Sequence, residues 1–322
     1  MTLGPLHLAV VTVPKPWGGR RLADLGRDLP AGTLIGESWE VADLDPATTG
    51  VADPVTRVAA GPHRGAALVD LIASHGPDLL GTAAAIAGRF PLLVKLLDAR
   101  EPLSIQVHPP EADVARDPQS RPKSESWVVL DADPGAELMI GLADGVTYDQ
   151  LAQAAGTSRV VPLLARRPAV PGAVHHVPAG TIHALGAGVL VAEVQTPSDT
   201  TYRLYDWTDE LGRAPRDLDT EAALAAISAA WGDNVAPPPP VDGDAAVIET
   251  PHYRLRRWEV RSGVERASAA GSLRVLLVLD GDLDGAGFDR TLERGSCVVL
   301  PATCATTLTA RTSTTVLEVE LP

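Results

Sequence analysis

Apolar positions in this chain fall mostly into short runs cut by Gly, Pro and Asp, and only a few stretches carry helical spacing. Residues 6–13 are apolar and β-branched and predict a strand, which Pro14, Pro16, Gly18 and Gly19 are expected to stop. GESWEVAD (36–43) alternates and predicts a strand with Trp39 on one face. FPLLVKLLDA (90–99) is apolar almost throughout, the pattern of a strand buried on both faces, and Lys95 interrupts it. LSIQVHP (103–109), SWVVLDA (126–132), AELMIGL (136–142), AVHHVPAG (173–180) and GVLVAEVQ (188–195) predict further strands. Helical spacing occurs at 65–87, where Gly76-Pro77 predicts two short helices, at TYDQLAQAA (147–155), and at 219–230 with Asp219 as N-cap. AWGDNVAPPPPVDGD (230–244) reads as a linker stiffened by four prolines, and four β-like runs follow from about residue 248. The pattern predicts a mainly β chain with a few short helices.

Composition narrows the function classes. The chain has 322 residues, 45% of them hydrophobic, enough for one large core or two ordinary ones. Its net charge is −14 and its pI about 4.9, whereas a nucleic-acid binder is normally basic. An anionic ligand therefore requires a local basic pocket. Two cysteines, Cys297 and Cys304, make no disulfide framework and are expected to be buried thiols. MTLGPLHLAVVTVPKPWGG lacks the basic start and long apolar core of a signal peptide, and no apolar run approaches the roughly 20 residues of a membrane span. The expected setting is the cytoplasm, with neither nucleic acid nor membrane as partner.

The chemistry concentrates between Phe90 and Trp127. Gln106 and His108 lie two apart in LSIQVHP, so a strand there puts both on one face. Glu125 follows after the polar loop 110–124, long enough to be functional. Amide oxygen, imidazole nitrogen and carboxylate oxygen converging on one point make a divalent-metal site, and His183 in VPAGTIHALG is the best fourth ligand. That donor set lacks sulfur and by chemistry alone permits Zn, Mn, Fe or Co. His175 and His176 are adjacent, so on a strand only one faces inward, and each is read as ordinary.

Gly172-x5-Pro178-x-Gly180-x2-His183 resembles the second motif of the cupin family, whose His is a metal ligand, and Gln106-x-His108 with Glu125 resembles a modified first motif. Arg100 stands where the usual Gly precedes the first ligand by six. PKPWGGRRL, GESWEVAD, FPLLVKLLDA, LSIQVHP, KSESWVVL, PAGTIHALGAGVLVAEVQ and SDTTYRLYDW together resemble the type I mannose-6-phosphate isomerases in their short bacterial form, over about residues 10–230. Beyond Trp207 the match thins, with Thr208-Asp209 where many relatives carry Gly-Arg.

The resemblance implies two cupin-type jelly-roll barrels: residues 1–232 as the metal-binding catalytic domain, 233–247 as a Pro-rich linker, and 248–322 as a cupin-like domain. In the latter, Gly295-x5-Pro301 repeats the start of the motif, but Thr303 takes the Gly position and Thr306 the His position, so no metal ligands are expected there. It further implies one zinc on Gln106, His108, Glu125 and His183, catalytic Arg203, Lys123, Glu193 and Asp199, substrate-binding Lys95 and Ser104, and Glu37 near the site. The implied reaction interconverts mannose 6-phosphate and fructose 6-phosphate through an enediol(ate), in a monomer or weak homodimer. The base is not assigned, and a water on the metal remains open for that role. An isomerase of a different sugar phosphate stays an alternative, since the related proteins include such enzymes. An iron oxygenase cupin fits less well because Gln106 replaces a His, and a non-catalytic sugar-binding cupin fits less well because Lys123, Arg203 and all four ligands are intact.

Overall fold

A computed structural model describes residues 3–113, 121–235 and 247–322. Residues 114–120 of the polar loop 110–124 and the four prolines of the linker thus lie outside the described residues. The fold is mainly β, built in layers whose strand pairings are all antiparallel among the described residues. A six-stranded sheet runs in the order Val174–Val177, Glu125–Ala132, Val189–Gln195, Leu93–Ala99, Val11–Gly19, Ile35–Val41. It faces a five-stranded sheet ordered Tyr202–Tyr205, Ile105–Val107, His183–Leu185, Glu137–Leu142, Leu164–Pro168. Leu97, Trp127, Ile140, Leu185 and Val191 fill the space between them. Helices Tyr148–Ala154 and Thr220–Ala229 cover the far side of the five-stranded sheet, where Leu151, Ala223 and Ile227 meet Ile105, Val107 and Leu204.

The other face of the six-stranded sheet is also covered. Val94, Leu96, Val128, Ala192 and Val194 pack with Leu255, Val275, Leu277 and Val319 of a second five-stranded sheet near the C-terminus. Beyond that lies a three-stranded sheet, with Trp258, Leu276, Val278, Leu308 and Val316 between the two. The arrangement is a pair of two-sheet sandwiches stacked on each other, and no closed barrel forms among the described residues. Burial on both faces explains why FPLLVKLLDA reads as a continuous apolar run: all seven residues of Leu93–Ala99 are buried.

The local expectations hold with three corrections. The first strand does not stop at Pro14. It continues to Gly19, with register breaks on either side of Pro14, so the missing proline N–H falls where the ladder is already interrupted. Gly18 must stay bare there, since a Cβ would lie 2.4 Å from the Gly36 nitrogen. The two short helices of 65–87 are present within Leu68–Leu80, separated by a non-helical His75 just before Gly76-Pro77, whereas the start of the stretch read as linker is helical, Trp231–Val235. Asp219 occupies the N-cap position of Thr220–Ala229 but does not cap it; its carboxylate instead accepts from the Arg203 N–H at 3.2 Å. Thr147 and Gln150 form a reciprocal capping box on Tyr148–Ala154. Cys297 and Cys304 are buried free thiols, as expected. His176 meets the Ser126 hydroxyl at 3.0 Å, and His175 is buried. Thr306 donates to the Ala286 carbonyl at 2.8 Å. No helix among the described residues is long and apolar enough to cross a membrane.

One buried side chain stitches the two sandwiches together. The Tyr253 hydroxyl meets Ser126 Oγ at 3.0 Å and donates to the Val194 carbonyl at 3.1 Å, reaching two strands of the six-stranded sheet. Tyr253→Phe should lower unfolding free energy by about 1–2 kcal/mol, the usual cost of stranding buried polar groups. Chemical denaturation with an unchanged m-value would support this; an unchanged midpoint would exclude the bond from the stability of the stack.

Candidate active site

Register builds the site. In the five-stranded sheet Gln106 pairs with His183 on one side and with Arg203 on the other. Direct cross-strand partners share a face, so three side chains from distant parts of the chain stand side by side. In the six-stranded sheet Glu193 pairs with Lys95 and with Trp127, and Lys95 pairs with Trp39. Glu125 and Glu37 lie two residues before Trp127 and Trp39 and share their face. The two rows enclose a small polar cavity. Lys95, Ser104, Gln106, Lys123, Glu125, His183, Glu193, Asp199 and Arg203 all line it. A larger open groove of about 540 Å³ beside Leu218–Ala225 gathers none of these groups.

At one end His108, Glu125 and His183 converge, all of them buried, with ligand atoms within 4.8 Å of one another. His108 Nδ1 donates to the Thr200 carbonyl at 3.0 Å, and His183 Nδ1 donates to the Thr181 carbonyl at 2.8 Å. Each imidazole therefore keeps its Nε2 lone pair for the centre. His108 Nε2 lies 3.2 Å from Glu125 Oε2, and His183 Nε2 lies 3.3 Å from Glu125 Oε1. With both imidazoles neutral, no proton is available to bridge these contacts. Burial, then the Lys123 ammonium, pulls the His108 imidazole down to about 3, and burial lowers His183 as well. Burial pushes the Glu125 carboxyl up, but the opposing influences, led by the Lys123 ammonium, hold it well below the usual range. His108 Nε2 and both Glu125 oxygens lack a hydrogen-bond partner; Lys123 Nζ is 2.9 Å from Oε2 but poorly aligned. Three buried acceptors facing one another are costly, and a divalent cation among them removes the cost. Gln106 stands beside them, its Nε2 3.3 Å from His183 Nε2 and its Oε1 accepting from Ser104 at 3.0 Å. A half-turn of the amide sends the oxygen to the centre and leaves the nitrogen to donate to Ser104.

At the other end buried charges balance. Lys95 Nζ lies 3.5 Å from Glu37, 3.6 Å from Glu193 and 3.8 Å from Asp199, with the Trp39 ring 5.1 Å away. Burial disfavours its charge, but Glu37, Glu193 and Asp199 outweigh that and raise its pKa, so Lys95 stays an ammonium. The Glu37 carboxyl is pushed up by burial, yet Lys15 and Lys95 together hold it well below the usual range. Glu193 differs: burial, then Glu125, push it up to about 7, while Trp127 Nε1 donates to its Oε2 at 3.0 Å. Arg203 makes no ion pair with Asp199 among the described residues. Asp199 is held by Thr49 at 2.7 Å and by Lys95, and the buried Arg203 Nε has no hydrogen-bond partner.

Two cations of the cavity were not singled out from sequence. Lys15 lies in the quoted PKPWGG block and pairs with Glu37 at 3.0 Å. Arg216 lies where the family match thins and is held by Asp206. Trp127 was findable, since it follows Glu125 by one strand period.

The family model described as phosphomannose isomerase type I, catalytic domain, matches residues 6–138. Along the whole length, the chain is 32% identical over 308 residues to a mannose-6-phosphate isomerase of Streptococcus mutans, covering 93% of each chain. It is 34% identical over 311 residues to a probable mannose-6-phosphate isomerase of Bacillus subtilis, covering 92% of this chain and 93% of the relative. The crystal structure of a B. subtilis mannose 6-phosphate isomerase superposes with a TM-score of 0.79 at 29% identity, covering 98% of this chain and 99% of that one. Likeness in sequence and in architecture thus extends well past the matched catalytic segment, and this chain belongs to the type I phosphomannose isomerase family.

Proposed function

We propose that this protein is a zinc-dependent isomerase interconverting mannose 6-phosphate and fructose 6-phosphate through an enediolate. The observation that carries the reading is the trio of unmatched buried acceptors, His108 Nε2 and the two Glu125 oxygens, beside His183 and a cavity rich in cations. His108, Glu125, His183 and Gln106 would hold the zinc, a set of two imidazoles, a carboxylate and an amide oxygen that suits it. Bound there, the cation supplies Lewis-acid stabilisation of negative charge on sugar oxygens. The activity of the named relatives supports the substrate assignment. The division of labour is part of the proposal: 1–232 carries the chemistry, 233–247 links, and 248–322 packs behind it, supported by every cavity-lining residue falling between Lys15 and Arg216.

The remaining roles follow from charge. Isomerisation moves a proton between adjacent carbons while oxygen charge grows and fades. The carrier must accept and release a proton near neutral pH. Glu37 and Glu125 are held too firmly as carboxylates, and Lys95 too firmly as an ammonium. Glu193, pushed up to about 7, is suited to carry it. Lys95 and Trp127 orient its two oxygens. Arg203 and Lys123 are placed to stabilise oxygen or phosphate charge, Arg203 with a donor uncommitted to protein. Ser104 orients the Gln106 amide, and Asp199 helps keep Lys95 charged.

A coupled assay converting mannose 6-phosphate to fructose 6-phosphate tests the whole reading. Chelation should abolish turnover and zinc should restore it, while His183→Ala should lose metal and activity together without unfolding. Full turnover by metal-free enzyme would sink the zinc assignment. Arg203→Ala should lower kcat by about 10²–10³, the usual cost of a lost charge-stabilising donor, with a smaller change in KM. Thermal unfolding on the same preparation separates this from a packing role, and a folded variant with normal kcat removes Arg203 from catalysis. For Glu193 the sign is fixed by its raised pKa: the base form is lost as pH falls, so kcat/KM should decline on the acid side. A cation on Glu125 removes one of the upward pushes, so that limb should lie at or below about 7. Glu193→Gln should cost about 10²–10⁴ in kcat and leave the residual rate flat across the limb. An acid limb that persists in the variant assigns the proton to another group.

A further inference from the structure

The chain between Gly180 and His183 is gripped from outside the sheets by one fully buried side chain. Asn234 sits on the short helix Trp231–Val235, at the edge of the stretch read from sequence as linker. Its Oδ1 accepts from the Ile182 N–H at 2.6 Å. Its Nδ2 donates to the Gly180 carbonyl and to the Ala230 carbonyl, each at 2.9 Å. The carboxamide thus uses its acceptor and both its donors, and it holds the peptides on both sides of Thr181.

A trans peptide is planar, with its C=O and N–H pointing in opposite directions. Directing the Ile182 N–H at Asn234 therefore directs the Thr181 carbonyl the other way. That carbonyl accepts from His183 Nδ1 at 2.8 Å. The same turn is anchored elsewhere: the Gly180 N–H donates to the His108 carbonyl at 2.8 Å, and the Ile182 carbonyl accepts from Gly141 at 2.8 Å. Gly180 has φ of +83°, and a Cβ there would lie 2.4 Å from Ala230 Cβ, so the turn sits directly against Ala230, where helix Thr220–Ala229 gives way to Trp231–Val235.

We propose that Asn234 is a positioning residue for His183: by clamping the peptides flanking Thr181 it aims the carbonyl that fixes the tautomer and tilt of this imidazole, and metal affinity depends on it. The proposal rests on the metal reading above. Asp at this position keeps the acceptor and loses both donors. Leu has nearly the same volume and loses all three bonds.

The test compares wild type, Asn234→Asp and Asn234→Leu by competition of zinc against a chromophoric chelator. Visible spectra of the cobalt-substituted proteins and thermal unfolding of the metal-free proteins accompany it. Partners that orient a metal-bound histidine typically contribute about 10–100-fold in affinity. Asn234→Leu should bind zinc 10–100-fold more weakly, Asn234→Asp by a smaller factor, and the cobalt bands should shift in both. A variant that unfolds earlier yet binds zinc with wild-type affinity and an unchanged cobalt spectrum marks Asn234 as a packing residue and overturns the proposal. Should the Leu variant fail to fold, the Asp variant decides on the same two readouts. Failure of the wild type to bind zinc or cobalt stoichiometrically overturns the metal reading itself, and the clamp with it.

Discussion

A sheet with solvent on neither face must compensate every charge it carries. The six-stranded sheet is in that position. Its rear face, with Val94, Leu96, Val128, Ala192 and Val194, is largely apolar and packs on the C-terminal sheet. Its front face carries Glu37, Lys95, Glu125 and Glu193, all buried. An uncompensated buried ion costs several kcal/mol, a large share of the 5–15 kcal/mol that holds a typical domain together. The charges are therefore arranged in contact, with Lys95 shared by three carboxylates. The proton that Glu193 can hold near neutrality is the place where this balance is left adjustable.

The same accounting locates the proposed metal centre. Hydrogen bonds to Thr200 and Thr181 commit one nitrogen of each imidazole and turn the other lone pair inward. Inward of those lone pairs lies Glu125, an acceptor too. The protein has spent its nearby donors, Lys123 and the Gln106 amide, without matching this set. The deficit has the sign and the geometry of a cation site. The backbone carbonyls that orient the imidazoles belong to turns, and those turns are held by residues from well outside the motif, Asn234 foremost.

The C-terminal sheets take part at a distance. Tyr253 bonds next to Glu125, at Ser126, and next to Glu193, at Val194, from the opposite face of the same strands. Ser126 and Val194 point away from the cavity because their neighbours point into it, the necessary result of a two-residue period. Arg27 acts similarly across the layers, linking Glu40 at 2.8 Å to the Gly295 carbonyl. Packing behind the site thus constrains the strands that carry it.

Much of this was legible along the chain because it depends on local period. The strands, the kinked helix and the doubly buried FPLLVKLLDA run follow from spacing and composition. Gln106, His108, Glu125 and His183 could be grouped from sequence because the proposed metal site needs those donor types, although Glu125 comes from the sheet facing Gln106 and His183. What local pattern could not decide was pairing. Nothing in the sequence states that His183 and Arg203 flank Gln106, or that Glu193 stands between Lys95 and Trp127; antiparallel register between distant strands sets this. The proline-bearing strand continued because its register breaks coincide with Pro14, and Asp219 left its cap to accept from Arg203, both outcomes of neighbours far away in sequence. The residue types that the chemistry requires were determined by the sequence alone. Which of them touch, which stay charged and which lone pairs are left unmatched were decided by tertiary structure, because burial and Coulomb energy depend on distances that only the packed sheets define.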